Sequence, residues 1–208
     1  DWSWSRGLGD VYKRQITSPV EDEFDADVFE VELKINEQEK KKKKVILYGS
    51  STFRLWDDAS TDLSLSNLIN LGFGGATLEA CRVYFNRLIV NENPDIIILY
   101  AGDNDIGNGS SIRDVVNQFD LFVDQMSENL PNTKGFFISI KPSPFRKNKL
   151  SIIKKTNSKI KKIISNNSNW EYIDIFNYMI TSDGEPSELF YQNDICLLYT
   201  SPSPRDQL

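Results

Sequence analysis

Three short segments of the chain combine hydroxyl, amide and carboxylate side chains with glycines. The first is GSST at residues 49–52, directly after an apolar run. The second is the glycine-rich NLGFGGAT at 70–77, and the third is GDND at 102–105. A serine hydroxyl can attack an acyl carbonyl, and backbone N–H groups or a side-chain amide can stabilise the oxyanion that forms. The three segments are therefore candidates for acyl-transfer chemistry.

Each segment also has a simpler interpretation when it is taken alone. Consecutive serines are typical of a helix N-cap, and Phe53 stands where the elbow of an α/β-hydrolase requires glycine two residues after Ser51. The glycine spacing fits neither a dinucleotide-binding turn nor a phosphate-binding P-loop. GDND is expected to form a loop, in which Asp103 and Asp105 could satisfy local backbone groups or bind Mg²⁺. No single segment decides between these possibilities.

The elements that position the segments are predicted by five short apolar runs without polar alternation. Such runs are typical of strands covered on both faces of a parallel sheet. The runs are KVILYGS, NLINLG, DIIILYAG, KGFFISI and WEYIDIF.

Helical periodicity fills the intervals between the runs, which are long enough for the crossovers that parallel strands require. It covers residues 76–92, 111–129 and 147–165, and an acidic segment, DEFDADVFEVELKINEQ, precedes the first run. The sequence predicts one doubly wound α/β domain. Ligands bind such sheets at the carboxyl ends of the strands, where the three segments converge.

Composition excludes several classes of protein. Of the 208 residues, 39% are hydrophobic and 26% are charged, which is typical of a globular domain. A net charge of −6 argues against nucleic-acid binding, and no apolar run is long enough for a membrane span. Cys81 and Cys196 are too few for a disulfide framework or a zinc site, and no metal or other cofactor is expected.

In order and spacing, the three segments resemble the first three sequence blocks of the SGNH/GDSL hydrolases. YAGDND together with ISIKPSP is similar to one bacterial esterase subgroup of that superfamily. The resemblance covers about residues 25–195. It implies a flavodoxin-like three-layer domain with helices on both faces of a mainly parallel sheet, and a small-molecule ester as substrate, for example an acylated carbohydrate or lipid.

The resemblance also assigns roles to individual residues. Ser51 would be the nucleophile of a serine esterase that works through an acyl-enzyme. The oxyanion would be held by the backbone N–H groups of Ser51 and Gly75 and by the side-chain amide of Asn104. Ser50 stands where the family usually has aspartate, which leaves the nucleophile in place.

The fourth block of the family is Asp-x-x-His, and here the sequence departs from the pattern. Asp194 fits the aspartate, but the histidine position is Leu197, and the chain contains no histidine. In the implied mechanism the imidazole takes the serine proton and returns a proton to the leaving alkoxide. The chain is therefore predicted to be nearly inactive.

Both ends of the chain look foreign to the domain. Residues 1–15 and 196–208 resemble translated adapter sequence, so the expected domain is 16–195. This domain would lack the C-terminal helix of its family and would have reduced solubility.

Two alternative functions stay open. One is a phospho-acceptor or nucleotide-binding domain that uses Asp103 or Asp105, and the other is a non-catalytic binding module, which the absence of histidine would favour.

Overall fold

A five-stranded sheet forms the centre of the protein. The computed structural model describes residues 19–36 and 44–191, and the side chains from 23 to 35 and from 44 to 191. All four strand pairings are parallel, and the spatial order is β2-β1-β3-β4-β5. The strands are β1 Val45–Gly49, β2 Leu68–Gly72, β3 Ile96–Tyr100, β4 Lys134–Ile138 and β5 Trp170–Ile173. The predicted parallel sheet is confirmed.

Helices connect the strands, and among the three helical stretches that periodicity predicted between strands, one differs from the prediction. The long helices are α1 Pro19–Asn36, α7 Ile112–Asn129 and α8 Leu150–Ser165, and the short ones are α2 Ser51–Arg54, α3 Ala59–Asp62, α4 Leu78–Val83, α5 Phe85–Leu88 and α6 Asp103–Gly107. Single 3₁₀ turns span Val90–Glu92, Asn177–Met179 and Glu188–Phe190, and a longer 3₁₀ segment with a kink at Arg146 spans Pro144–Lys149.

The difference concerns residues 76–92, for which periodicity predicts one continuous helix. Tyr84 ends α4 with φ −88° and ψ 0°, so the segment continues as a second short helix and a 3₁₀ turn. The Tyr84 ring packs edge-on against Phe73 and lies beside the Arg87 guanidinium. These contacts fix the ring at the junction between the two short helices, which apolar spacing alone does not reveal.

The core lies mostly on one face of the sheet. Because side chains alternate along a strand, Ile46 and Tyr48 point to the larger cluster, which α1, α4, α7 and α8 cover. Leu47 points to a smaller cluster with Phe53 of α2. On this second face, Ile98 and Ile138 are only partly buried by the described residues.

The described helices include none long and apolar enough to cross a membrane. Asp194, Leu197 and both predicted foreign ends lie outside the described residues.

Candidate active site

The strand order brings the three polar segments to one edge of the sheet. β1 lies between β2 and β3, so the chain leaving β1 at Gly49 is flanked by both of its neighbours. The order β2-β1-β3-β4-β5 reverses direction at β1, and such a switch point forms a crevice outside the strand ends. Ser51, Gly75 and Asn104 all follow these three strands directly.

The first segment turns sharply from β1 into α2. Gly49 has φ +137°, and a Cβ built on it would lie 1.9 Å from the carbonyl oxygen of Tyr100. The Ser50 N–H donates to that same carbonyl at 2.9 Å. Only glycine can adopt this dihedral and accept this approach at low cost, so Gly49 fixes the position of the serines that follow.

The two serines have different environments. Ser50 is fully buried, and its Oγ has no hydrogen-bond partner among the described residues. Ser51 is the first residue of α2 and is partly exposed. No described residue accepts a hydrogen bond from the Ser51 backbone N–H. Of the two serines, Ser51 is therefore the one that is partly exposed to solvent.

The second segment forms the turn between β2 and α4. Gly75 adopts φ +68°, and no described residue accepts a hydrogen bond from its N–H. The preceding N–H, of Gly74, donates to the Asp27 carboxylate of α1 at 2.9 Å. Asn70 holds the turn to α2, because its Nδ2 donates to the Phe53 carbonyl at 2.7 Å. The turn is therefore held by α1 on one side and by α2 on the other.

The third segment is a short helix where the sequence predicted a loop. Gly102 has φ +113°, and α6 starts at the next residue. Asn104 Nδ2 donates to the Ala76 carbonyl at 3.1 Å, next to Gly75. This contact joins the second and third segments, which the sequence had placed 28 residues apart. Asn104 and the Gly75 turn are therefore neighbours in the structure.

Both aspartates of this segment, Asp103 and Asp105, form contacts with other residues of the protein. Asp105 is buried, and its carboxylate accepts from the Leu78 N–H, at 3.1 and 3.2 Å to its two oxygens. Burial raises the pKa of Asp105 to about 7, although the Leu78 hydrogen bond opposes the shift. The nearby charges of Asp103 and Glu79 raise it further.

Asp103 has the opposite shift. Burial alone would raise its pKa, but the adjacent Lys141 ammonium and Arg146 guanidinium outweigh burial and hold the pKa of Asp103 below its ordinary value. Lys141 Nζ lies 3.1 Å from Asp103 Oδ2, and Arg146 Nη1 lies 3.7 Å from the same oxygen.

Within residues 19–36 and 44–191, no group of three acidic, histidine or cysteine side chains could hold a metal ion.

Arg146 is the main site residue that sequence reasoning does not reveal. Lys141 follows β4 in the KPSP segment, where the sequence allows a contact with the leaving group of a substrate but favours an ordinary rigid turn at the two prolines. The structure instead buries Lys141, which is only 3% exposed, against Asp103. Arg146 lies in the 3₁₀ turn that follows and is 8% exposed. Lys141 and Arg146 therefore place two buried cations beside the single carboxylate of Asp103.

A cavity of about 170 Å³ lies elsewhere, between α8 and β5. Its lining includes Lys154, Lys161 and Tyr172, and none of its lining residues belongs to the three segments. Asn157 also lines it, but both ends of that side chain bond the backbone of Ile140. The cavity therefore is not part of the candidate active site.

Residues 46–200 match the sequence model of the GDSL-like lipase/acylhydrolase family. The chain belongs to this family. The match spans most of the chain and includes all three segments, and family membership makes the protein an ester hydrolase in the general sense. The family match agrees with the resemblance read from the three segments.

Solved structures share the fold of this GDSL-like domain. A protein from Streptococcus pneumonia named for platelet activating factor superposes with a TM-score of 0.74 at 16% identity, covering 88% of this chain and 92% of that one. A GDSL-like lipase from Bacteroides thetaiotaomicron gives 0.65 at 18% identity, with coverage of 78% and 83%. The acetyl xylan esterase AlAXEase gives 0.59 at 18%, with coverage of 75% and 92%. No curated protein matches the sequence significantly.

Proposed function

We propose that the protein carries the acyl-transfer site of a serine esterase for small carboxylic esters, such as acetyl or other short-chain acyl esters. Ser51 is the nucleophile, and the oxyanion is held by the N–H groups of Ser51 and Gly75 and by the Asn104 amide. The observation that carries the proposal is the hydrogen bond from Asn104 to the Ala76 carbonyl, at 3.1 Å. It sets a side-chain amide beside the glycine turn, at the strand ends where the accessible serine also lies.

The reaction has two steps, the formation of an acyl-enzyme and its hydrolysis. The Ser51 oxygen attacks the acyl carbon, its proton passes to a base, and the collapsing tetrahedral intermediate expels the alcohol, which takes a proton from that base. Water then attacks the acyl-enzyme in the same way and releases the carboxylic acid. The oxyanion donors stabilise the negative charge in both steps, and removing one such donor typically costs about 100- to 1000-fold in kcat.

The general base of this mechanism is absent from the chain. The chain has no histidine, and Leu197 occupies the position three residues after Asp194 where the family motif has a histidine. A positioned general base contributes about 100- to 10,000-fold to such a reaction. The proposal therefore includes very slow turnover by the chain as it stands.

The phospho-acceptor alternative receives no support from the contacts. Asp103 is paired with two cations, and Asp105 is bound to the start of α4. Neither carboxylate is therefore available as an exposed acceptor. A non-catalytic binding module, by contrast, would gain no hydrolysis when a histidine is supplied.

The test compares the parent chain with Leu197→His, using p-nitrophenyl acetate. We expect kcat/KM to rise at least about 100-fold, because the substitution supplies the histidine of the family's Asp-x-x-His motif as a general base. Adding Ser51→Ala should abolish this gain and also abolish labelling by a fluorophosphonate probe. Adding Ser50→Ala, the matched control, should keep both. No gain in Leu197→His would favour the binding module, whereas full activity without the Ser51 hydroxyl would overturn Ser51 as the nucleophile.

A further inference from the structure

We propose that Arg146 is a positioning residue that holds the Asn104 carboxamide with its N–H toward the acyl oxygen of a bound ester. The inference rests on the proposed function. It concerns a residue outside the three family segments and gives that residue a specific task, which is to fix one oxyanion donor.

Hydrogen bonds at both ends of the Asn104 side chain determine its orientation. Arg146 Nη2 lies 3.4 Å from Asn104 Oδ1, and Asn104 Nδ2 lies 3.1 Å from the Ala76 carbonyl oxygen. A guanidinium can only donate and a carbonyl can only accept, so the flipped amide would lose both contacts. With one N–H of the amide used on Ala76, its second N–H is left for the substrate.

The space around Arg146 is shaped for a flat guanidinium. A Cβ built on Gly107 would lie 2.6 Å from Arg146 Nη2 and 2.9 Å from its Nε. Asp103 attracts Nη1 from 3.7 Å, and the Phe145 ring lies 6.0 Å from the guanidinium carbon. Glycine at 107 and the ion pair together hold the guanidinium against α6, which carries Asn104.

The charge of Arg146 adds to its orienting role. Lys141 and Arg146 together carry one more charge than Asp103 neutralises, and both are buried. A cation that donates to the amide oxygen polarises the amide, which makes its N–H a stronger donor to a developing oxyanion. The planar fork of arginine suits this geometry better than the point charge of lysine.

A spectroscopic experiment tests the inference in the full chain without requiring turnover. In ¹⁵N-labelled protein, the side-chain amide signals of Asn104 are assigned by their loss in Asn104→Asp. Arg146→Met should shift both amide protons and lower the order parameter of the group, while Arg146→Lys should give a smaller change. Lys147→Met, which removes a neighbouring exposed cation, should change neither. Unchanged Asn104 signals in Arg146→Met would overturn the inference.

A kinetic experiment then tests the consequence in the Leu197→His background. Arg146→Met should lower kcat about 10-fold and change KM less than about 2-fold, because an oxyanion contact forms mainly in the transition state. Combined with Asn104→Ala it should cost nothing more than Asn104→Ala alone. Additive losses, or a loss confined to KM, would overturn the inference. If Leu197→His gains no activity, the proposed function fails, and the amide signals alone decide the role of Arg146.

Discussion

Lys141 Nζ lies 2.9 Å from the Oγ1 of Thr52, the residue that follows Ser51. The same ammonium lies 3.1 Å from the Asp103 carboxylate and 3.2 Å from the Tyr100 hydroxyl. Its three donors therefore tie together the ends of β1, β3 and β4. The turn that carries the candidate nucleophile is therefore held by the ammonium group of Lys141, which follows β4.

Lys141→Met is expected to destabilise the fold by about 3–5 kcal/mol, because it leaves Asp103 buried with only the more distant Arg146 as its counter-charge. Urea unfolding followed by circular dichroism measures the loss. The matched control is Lys134→Met, which breaks the exposed ion pair with Glu171 and should cost less than about 1 kcal/mol. Equal losses in the two variants would contradict the importance of the buried pair.

Asp105 should make the protein less stable as the pH rises from about 4 to 7. Its pKa in the folded state is about 7, above the ordinary 3.8, so in this window the folded protein keeps a proton that the unfolded chain has released. The loss is at most about 4 kcal/mol, at about 1.4 kcal/mol per pKa unit. Asp105→Asn should flatten this dependence of the melting temperature on pH.

The exposed Asp120→Asn is the control for that measurement and should retain the slope of the parent chain. Asp103 does not mask the effect. Its pKa is lowered, so its contribution to stability is present above pH 4 and is lost only as the pH falls below that value. If the melting temperature of Asp105→Asn depends on pH as steeply as that of the parent chain, a group other than Asp105 holds the proton.

Gly49→Ala is expected to cost at least about 3 kcal/mol, since the new Cβ combines a strained φ with a 1.9 Å approach to the Tyr100 carbonyl. Gly184→Ala separates the two causes. Gly184 has φ +83° with nothing within 4 Å, so its substitution should cost only about 1–2 kcal/mol of backbone strain. Chemical unfolding of both variants measures the difference, and similar losses would show that the contact with β3 is unimportant.

Ser50→Ala should leave stability unchanged or raise it by up to about 1 kcal/mol. The Ser50 hydroxyl is buried without a partner among the described residues, so removing it relieves a desolvation cost and breaks no hydrogen bond there. Thr133→Val is the contrasting variant, because the Thr133 hydroxyl is buried and donates to the Pro94 carbonyl. It should lose about 1 kcal/mol or more in the same thermal melt. A large loss in Ser50→Ala would mean that its hydroxyl is bonded in solution.

The sheet was predictable because its strands carry an uninterrupted apolar signal. In β3 the residues IIILY follow Pro94 and Asp95 and are followed by a glycine-containing turn, which marks both ends of the strand. The break at Tyr84 was not predictable, because periodicity reports which face of a helix is apolar and not where its hydrogen bonds change. Likewise, α6 was expected to be a loop, although a positive φ at Gly102 allows a helix to begin at once.

Sequence predicted only those parts of the candidate site that are formed by residues close together along the chain. Each polar segment has a recognisable local composition, and the strand order then brings the segments together. Arg146 meets Asn104 across 42 residues, and Lys141 meets Asp103 across 38. Nothing local marks such pairs, and the one indirect signal for Arg146 is a glycine at 107 inside a helix. Asp194 lies outside the described residues, so its role stays a prediction.

The hydrogen bond between Asp27 and Gly74 links the reactive end of the sheet to a helix that comes before the first strand. A protein shortened to begin at Val45 would retain all five strands and all three family segments. It would nevertheless lack the carboxylate that steadies the amide next to Gly75. In the Leu197→His background, removal of the residues before Val45 should therefore lower ester cleavage at temperatures where the shortened protein is still folded.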